Sequence, residues 1–218
     1  MTKLLLAGLV VAATLPVAAA LTLDEVEVEF VSPTECKGDH GVYRWVVKTD
    51  HEVPPDSIPE ANKVKPSDIG KWQPPRGVIT TNTPRSGREK DWFQVTGRVA
   101  LVKVEADGDL HIQLVDTDGG SKVNVVVEVP VKQSPGESPW DEIRRKVFGW
   151  TKTNFPFKVK SDRRLELVST PVIRVEGKAF FDATHRGDVP NRRKDTLGEE
   201  VTVWEIHPVM TLEEVKNP

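Results

Sequence analysis

Hydrophobic and polar residues alternate along much of the second half of the chain, which is the pattern of half-buried β-strands. This alternation predicts five strands, at residues 93–105, 110–115, 122–130, 171–181 and 201–212. Residues 139–151 differ, because their apolar side chains recur at the spacing of an amphipathic helix. The pattern therefore predicts three strands, then one helix, then two more strands.

The second and third strands form a hairpin whose register follows from the sequence. Gly119 and Gly120 suit the two-residue loop that joins antiparallel strands. With that loop, the three apolar side chains on one face of the second strand all lie opposite valines of the third. A slip of one residue would remove this match. The same register places His111 opposite Glu128 on the other face.

This succession resembles the OB-fold, a five-stranded Greek-key barrel with a helix between its third and fourth strands. We therefore expect a mainly β protein in which residues 93–215 form an OB-like barrel. Gly97, inside the long first strand, marks the bend or bulge that a small barrel needs. An unrelated small barrel or an α+β sandwich gives the same order of elements and stays open.

Residues 21–92 have a different composition, with eight prolines between positions 33 and 84. Proline disfavours helices and central strands, so we predict an irregular Pro-rich N-terminal arm that wraps onto the barrel. Residues 42–47 are predicted as its short strand. Trp72 and Trp92 are its expected anchors, since each can bury a large apolar area. Partial disorder of the arm is the alternative.

Residues 1–20 have the pattern of a secretory signal peptide. Lys3 precedes an apolar run at residues 4–13, and small residues up to Ala20 supply a cleavage site. We therefore expect cleavage near Ala20 and export to the periplasm or beyond. The apolar run is short for a span of about 20 residues, so we expect no membrane span in the mature chain.

Charge and cysteine content narrow the range of partners. The 30 basic and 33 acidic residues give a net charge of −3, and removal of Lys3 with the signal peptide makes it −4. This mild acidity disfavours nucleic acid as a partner without excluding it. The single cysteine, Cys36, cannot form a disulfide within the chain, so it is either a buried thiol or one half of an intermolecular bridge.

Imidazole and carboxylate groups gather at the ends of the predicted strands. In an OB-type barrel the fifth strand lies beside the third and parallel to it, which brings side chains of three strands together on the outer face. The candidate ligand-binding or metal-binding residues are Asp109, His111, Glu128, Asp182, His185, Glu205 and His207, with Asn191, Arg192 and Arg193 as secondary loop contacts.

Three roles fit this set of side chains: metal binding, acid–base catalysis and a structural contact between strands. Imidazole and carboxylate together are ligands for zinc, manganese or iron, and they also serve in general acid–base catalysis. A histidine opposite a glutamate is equally an ordinary cross-strand contact, worth a few tenths to about 1 kcal/mol. The chain contains no H-E-x-x-H, G-x-S-x-G or P-loop motif. The cofactor therefore stays open, with a divalent metal such as zinc as one candidate.

Several segments resemble a family of exported bacterial proteins of unknown function. They are YRWVVKTD, VTGRVALVKVEADGDLHIQLVD, KVFGWT, VEGKAFFDATH and VWEIHPVM, which include a G-D-x-H element and a terminal E-I-H-P-V. The resemblance covers residues 40–212 and implies one continuous, OB-like fold. It also implies that the seven candidate acids and histidines lie at or beside motif positions. It brings no known activity or ligand.

The sequence leaves three functions to be compared. We expect an exported OB-like binding protein whose unknown extracytoplasmic ligand is a glycan, a peptide or an oligonucleotide. The first alternative is a metal-dependent hydrolase that uses the histidine and glutamate side chains. The second is a structural envelope protein in which the same side chains only stabilise the barrel.

Overall fold

The computed structural model describes residues 42–105, 107–119, 123–131, 138–153, 163–186, 189–195 and 198–216. The predicted signal peptide, Cys36 and the first part of the predicted arm lie outside these ranges. Within them the protein is mainly β, as its alternating pattern predicts. Each helix in the described ranges is too short or too polar to cross a membrane.

The described ranges contain eight strands, three α-helices and three 3₁₀ turns. The strands are β1 (Lys63–Val64), β2 (Trp92–Val104), β3 (Leu110–Val115), β4 (Asn124–Val129), β5 (Arg163–Arg164), β6 (Val172–Phe181), β7 (Arg193–Lys194) and β8 (Glu200–Glu214). The α-helices are α1 (Trp45–Lys48), α2 (Pro66–Ile69) and α3 (Asp141–Phe148). The 3₁₀ turns are Glu60–Asn62, Gly87–Lys90 and Ala183–His185.

Five strands pair edge to edge in a closed ring. Around the ring, β2 pairs with β3, β3 with β4, β4 with β8, β8 with β6, and β6 with β2 again. The β4–β8 pair is parallel and the other four pairs are antiparallel. The parallel pair is possible because a long connection, which carries α3 and β6, separates β4 from β8. The short strands β1 and β5 pair with β2, and β7 pairs with β8.

The hairpin register predicted for the second and third strands is confirmed in β3 and β4. Ile112 lies opposite Val127, and the two flanking leucines also lie opposite valines. All of these apolar side chains are buried in one core. His111 lies opposite Glu128, so both belong to the face that alternates away from that core.

Helix α3 is shorter than the predicted residues 139–151. It runs from Asp141 to Phe148, and Trp140 occupies the N-cap position. Ser138 accepts a 3.3 Å hydrogen bond from the backbone N–H of Trp140, so it stabilises the turn before the helix instead of capping the helix itself. Trp140 is fully buried and fixes the start of α3 against the ring.

The prediction of a short strand at residues 42–47 is wrong. This segment forms a turn followed by the one-turn helix α1. Val46 is 83% exposed, so the apolar alternation that suggested a strand is not buried. Arg44 has a left-handed backbone conformation, with φ of 50°, and its side chain binds Glu89. A buried ion pair inside the arm therefore overrides the local strand pattern.

The rest of the arm packs directly onto the ring. Ile69 of α2 is fully buried in the same core as the strands. The ring of Trp72 lies 4.7 Å from that of Phe93 and 5.6 Å from that of Trp204, measured between centroids. Trp72 is thus an anchor of the arm, and the hydrophobic core is continuous across residue 92.

Gly97 does not mark the irregularity in β2. The register of β2 against β3 shifts between Val99 and Leu101. A Cβ atom at Gly97 would lie 2.9 Å from Cγ of Pro66 and 2.9 Å from the carbonyl oxygen of Val115. Glycine is needed there because the arm and a neighbouring strand approach the backbone closely, not because the strand bends.

Candidate functional site

Glu128, near the end of β4, lies between two histidines on the outer face of the ring. Its Oε1 is 3.1 Å from Nδ1 of His111 on β3, and its Oε2 is 2.9 Å from Nδ1 of His207 on β8. These contacts follow from the ring order, since β4 is paired with β3 on one side and with β8 on the other. The structure thus brings together three of the side chains that the sequence singles out.

Two further carboxylates from the turn between β2 and β3 join this group. Oδ2 of Asp109 is 3.4 Å from Nε2 of His207, and Oε1 of Glu105 is 2.9 Å from Nδ1 of His111. The backbone N–H of Glu105 donates to the carbonyl of Asp109 at 2.9 Å, which closes the turn. The acid–histidine cluster, as we name it, consists of Glu105, Asp109, His111, Glu128 and His207.

Two lysines contact the carboxylates of this region. Nζ of Lys48, on α1, is 2.8 Å from Asp107 and 4.0 Å from Asp109. Nζ of Lys103, on β2, is 2.8 Å from Glu105. Burial by itself lowers the pKa of Lys48, but the neighbouring carboxylates outweigh it and raise that pKa well above its ordinary value. Lys48 therefore stays charged at physiological pH.

A chain of amide and carboxylate groups orients His111 from its other side. Its Nε2 is 3.1 Å from Nε2 of Gln113, which in turn donates to Asp195 at 2.5 Å. Asn124 donates to Oε1 of Gln113 at 2.8 Å. These contacts hold the imidazole with Nδ1 directed at Glu105 and Glu128.

The acid–histidine cluster is buried, whereas the sequence suggests an exterior surface. His111 and His207 are both 0% exposed. The arm supplies the cover, because Arg85 donates to the carbonyl oxygens of His207 and Val47 at 2.8 and 2.7 Å. The alternation of a strand shows which face a residue occupies, but it does not show what packs on that face.

Burial and charge act in opposite directions on the pKa values of the cluster. Burial by itself lowers the pKa of His111 and of His207, but the carboxylates beside each ring outweigh it and raise both. Burial by itself raises the pKa of Glu128, and the two imidazoles outweigh it and hold that pKa well below its ordinary value. Burial and Asp109 together raise the pKa of Asp107 to about 6.

A pocket of about 300 Å³ opens beside the acid–histidine cluster. Its walls come from the arm, from the turn between β2 and β3, from β4 and β8, and from the connection between β6 and β8. The lining side chains include Tyr43, Lys48, Glu128, Asp182, His185 and Glu205. The pocket therefore joins predicted site residues to arm residues that the sequence does not indicate.

Asp182 and His185 form an acid–imidazole pair on the wall of this pocket. Oδ2 of Asp182 contacts Nδ1 of His185, and its Oδ1 accepts from the hydroxyl of Thr184 at 2.6 Å. Burial by itself raises the pKa of Asp182, but His185 and Thr184 outweigh it and lower the value. The side chain of His185 is 37% exposed, so solvent reaches the imidazole.

Glu205 lines the pocket and pairs with an arginine of the connection between β6 and β8. Its Oε1 is 3.4 Å from Nη2 of Arg193. Burial, followed by the charges of Glu128 and Asp182, raises the pKa of Glu205 well above its ordinary value. Glu205 and His207 therefore share a strand face, as their spacing predicts, but they have different partners.

The three predicted loop contacts have different environments. Asn191 is buried; its side chain donates to the carbonyl of Ile69 at 2.8 Å and accepts from the backbone N–H of Trp204 at 2.8 Å. It therefore fastens the arm to β8. Arg192 is exposed, and Arg193 lines the pocket.

Sequence reasoning missed six residues of the pocket: Tyr43, Lys48, Glu105, Asp107, Phe180 and Thr184. Glu105 and Asp107 flank the turn that also holds Asp109, so the run of acids in that turn was a usable signal. Tyr43 and Lys48 carry no local signal, because only the folded arm brings them to the ring.

Comparisons with protein-family models, with curated proteins and with solved structures give no match to this chain. The interpretation of the site therefore depends on its own geometry.

Proposed function

We propose that this protein is an exported, OB-like barrel protein that binds the hydroxyl-rich end of a glycan in the pocket between the arm and the ring. The observation that carries this proposal is the position of the pocket. Its walls come from the turn between β2 and β3, from β4, and from the connection between β6 and β8.

The ring order supports the OB interpretation. β2, β3, β4, β6 and β8 correspond in sequence order to the five barrel strands, with a parallel pair between the third and the fifth. Helix α3 lies between the third and the fourth. OB barrels bind oligosaccharides and oligonucleotides on the face of strands two and three and with the loops that join strands one to two and four to five. The lining of the pocket includes Glu128 of the strand that corresponds to strand three, with side chains of the β2–β3 turn and of the β6–β8 connection, which correspond to these two loops.

The lining of the pocket favours a hydroxyl-rich ligand over an oligonucleotide. Carboxylates are hydrogen-bond acceptors, which suit the hydroxyl donors of a sugar. The same negative charges repel the phosphates of an oligonucleotide. Tyr43 and Phe180, whose rings lie 6.4 Å apart, add aromatic surface. A volume of about 300 Å³ suits one or two sugar units, at the lower end of the range for small-molecule sites.

Calorimetric titration of the metal-free mature chain tests this proposal. The probes are neutral mono- to trisaccharides, tripeptides and single-stranded hexanucleotides. We expect a saccharide to bind, and Tyr43→Phe to weaken it by about two- to tenfold, the effect of one lost hydrogen bond. Thr211→Val, which removes an exposed hydroxyl on β8 outside the pocket, is the matched control. Binding of peptides or oligonucleotides alone would refute the glycan assignment, and binding of none would refute the ligand-binding function.

The Asp182–His185 pair favours hydrolysis as a second candidate function. A carboxylate that orients a partly exposed imidazole is the arrangement of a general base. If the protein hydrolyses aryl glycosides or aryl phosphate esters, His185→Gln should lower kcat by about 10²- to 10⁴-fold. His51→Gln, at an exposed histidine outside the pocket, should leave kcat unchanged. Absence of turnover in the wild-type chain rejects this candidate.

A further inference from the structure

The acid–histidine cluster contains two overlapping sets of metal-ligand atoms. Glu105, His111 and Glu128 form one set, and Asp109, Glu128 and His207 form the other. Within each set the ligand atoms lie within 4.8 Å of one another. Ligands around tetrahedral zinc lie about 3.4 Å apart, given metal–ligand bonds of about 2.0–2.2 Å. The spacing in each set therefore suits a first-row ion after small side-chain shifts.

The geometry of His207 is an independent sign of a ligand. This ring is completely buried, yet neither of its nitrogens makes a well-aligned hydrogen bond within the described part of the chain. Nδ1 nevertheless lies 2.9 Å from Glu128, and Nε2 lies 3.4 Å from Asp109. A buried imidazole ordinarily directs its N–H groups at acceptors. Here the ring is held among carboxylates without that alignment.

The charges near the cluster leave an excess of negative charge. Glu105, Asp107, Asp109 and Glu128 are all largely buried. Among the described residues, the cations near them are Lys48, Lys103 and the buried guanidinium of Arg144, which interacts with Asp109 and Asp107. With both imidazoles neutral, which is the form that binds metals, the four carboxylates outnumber these three cations, so negative charge remains for an ion to balance.

The ring of His111 is fixed with Nδ1 directed at Glu105 and Glu128. Gln113, held by Asp195 and Asn124, lies at Nε2 of His111. The amide nitrogen of Gln113 is a donor, so ion binding at Nδ1 requires this contact to rearrange and present an acceptor to the Nε2–H of His111. Glu105 and Glu128 also line the pocket, which gives an ion a path from solvent.

We infer that the acid–histidine cluster binds one divalent transition-metal ion of the zinc or manganese class, with Glu128 as the central ligand between His111 and His207. Mixed nitrogen and oxygen donors without thiolates suit these ions better than calcium or magnesium, which prefer oxygen alone. The inference goes beyond the glycan binding proposed above and does not depend on it.

Metal content and calorimetry of the untagged mature chain test the inference. The protein is purified without chelators for elemental analysis, then stripped and titrated separately with Zn²⁺, Mn²⁺ and Ca²⁺. We expect one Zn²⁺ or Mn²⁺ per chain, and a loss of affinity in His207→Gln larger than the 10- to 100-fold typical of an outer-sphere change. His51→Gln, at an exposed histidine outside the cluster, should bind as the wild type does.

A second variant and an absorption spectrum distinguish loss of the ion site from loss of folding. Glu105→Gln changes the most exposed ligand of the cluster, with 16% of its side chain exposed, and keeps the shape of that side chain. It also removes the carboxylate beside Lys103, so its metal affinity is measured below its own thermal transition, where it should be weaker than that of the wild type. In the wild type, Co²⁺ should give d–d absorption bands typical of nitrogen and oxygen ligands. Absence of binding by the wild-type chain, binding of Ca²⁺ alone, or affinity unchanged in both cluster variants would overturn the inference and leave a network of protonated histidines.

Discussion

Arg44 and Glu89 form a two-point ion pair, with Nη1 2.6 Å from Oε1 and Nη2 3.0 Å from Oε2, and both side chains are completely buried. Oε1 of Glu89 also accepts the backbone N–H of Phe181 at 3.0 Å. The pair therefore joins two distant parts of the arm and fastens both to the end of β6, beside the pocket.

Glu89→Gln should lower the free energy of unfolding by about 3–5 kcal/mol, because it leaves the charge of Arg44 buried without a counter-charge. Denaturation in guanidinium chloride measures the change. Glu213→Gln is the control, since it breaks the exposed pair with Arg174 at 2.7 Å and should cost less than about 1 kcal/mol. Equal losses in the two variants would contradict the role assigned to the buried pair.

Lys48→Met should tighten binding of Zn²⁺ by about tenfold or more, because it removes a positive charge 4.0 Å from Asp109. Calorimetric titration of the stripped protein gives the dissociation constant. Lys65→Met, which removes an exposed ammonium group that pairs with Asp118, should leave it unchanged. Weaker binding in Lys48→Met would mean that the lysine supports the ion site instead of competing with it.

The raised pKa of Glu205 predicts how stability varies with pH. A carboxyl that binds its proton more tightly in the folded chain stabilises the fold below its unfolded pKa, and this contribution is lost as pH rises through the folded pKa. Glu205→Gln removes the free-energy cost of ionising this buried carboxyl group in the folded protein. The stability of the variant relative to wild type should therefore increase from about pH 4.5 upward.

Unfolding free energies at pH 4 to 8, in the presence of a chelator, check this expectation. Glu213→Gln, at an exposed position of the same strand, should show no comparable trend. A relative stability of Glu205→Gln that falls with rising pH would mean that Glu205 is charged and favourably paired in the folded protein.

Gly177→Ala should destabilise the ring by about 1–3 kcal/mol through overpacking. A Cβ atom at this position would lie 2.6 Å from Cγ2 of Ile206, and it would also meet the backbone of Pro208 on the paired strand. Thermal and chemical unfolding measure the loss. Gly70→Ala is the matched control, since the nearest atom to its Cβ is 3.5 Å away and its backbone is already helical.

The sequence predicts the ring better than the arm, because the pairing of two strands joined by a short turn is visible in their alternating apolar residues. The match of Leu110, Ile112 and Leu114 to three valines across one turn is enough to place His111 opposite Glu128. The approach of His207 to Glu128 depends instead on the parallel pairing of β4 and β8, which only a fold resemblance supplied. The two kinds of contact therefore became predictable for different reasons.

The cover over the cluster was not predictable from local patterns. Arg44 and Glu89 are 45 positions apart, and their pairing decides where α1 lies. Neither the exposed Val46 nor the charged Lys48 shows in the sequence that Lys48 pairs with Asp107 in the turn between β2 and β3. Burial of a polar face depends on such long-range contacts, which alternation and composition do not encode.

One pocket is lined by Tyr43 and Lys48 of the arm and by Glu128 and Glu205 of the ring. Truncation of the chain at residue 92, where the composition changes, would therefore remove part of the pocket. A fragment that starts at residue 93 would expose His111 and the other members of the acid–histidine cluster to water, together with the apolar surface that Ile69 and Trp72 cover. The shortest expression fragment that retains the pocket begins before residue 43.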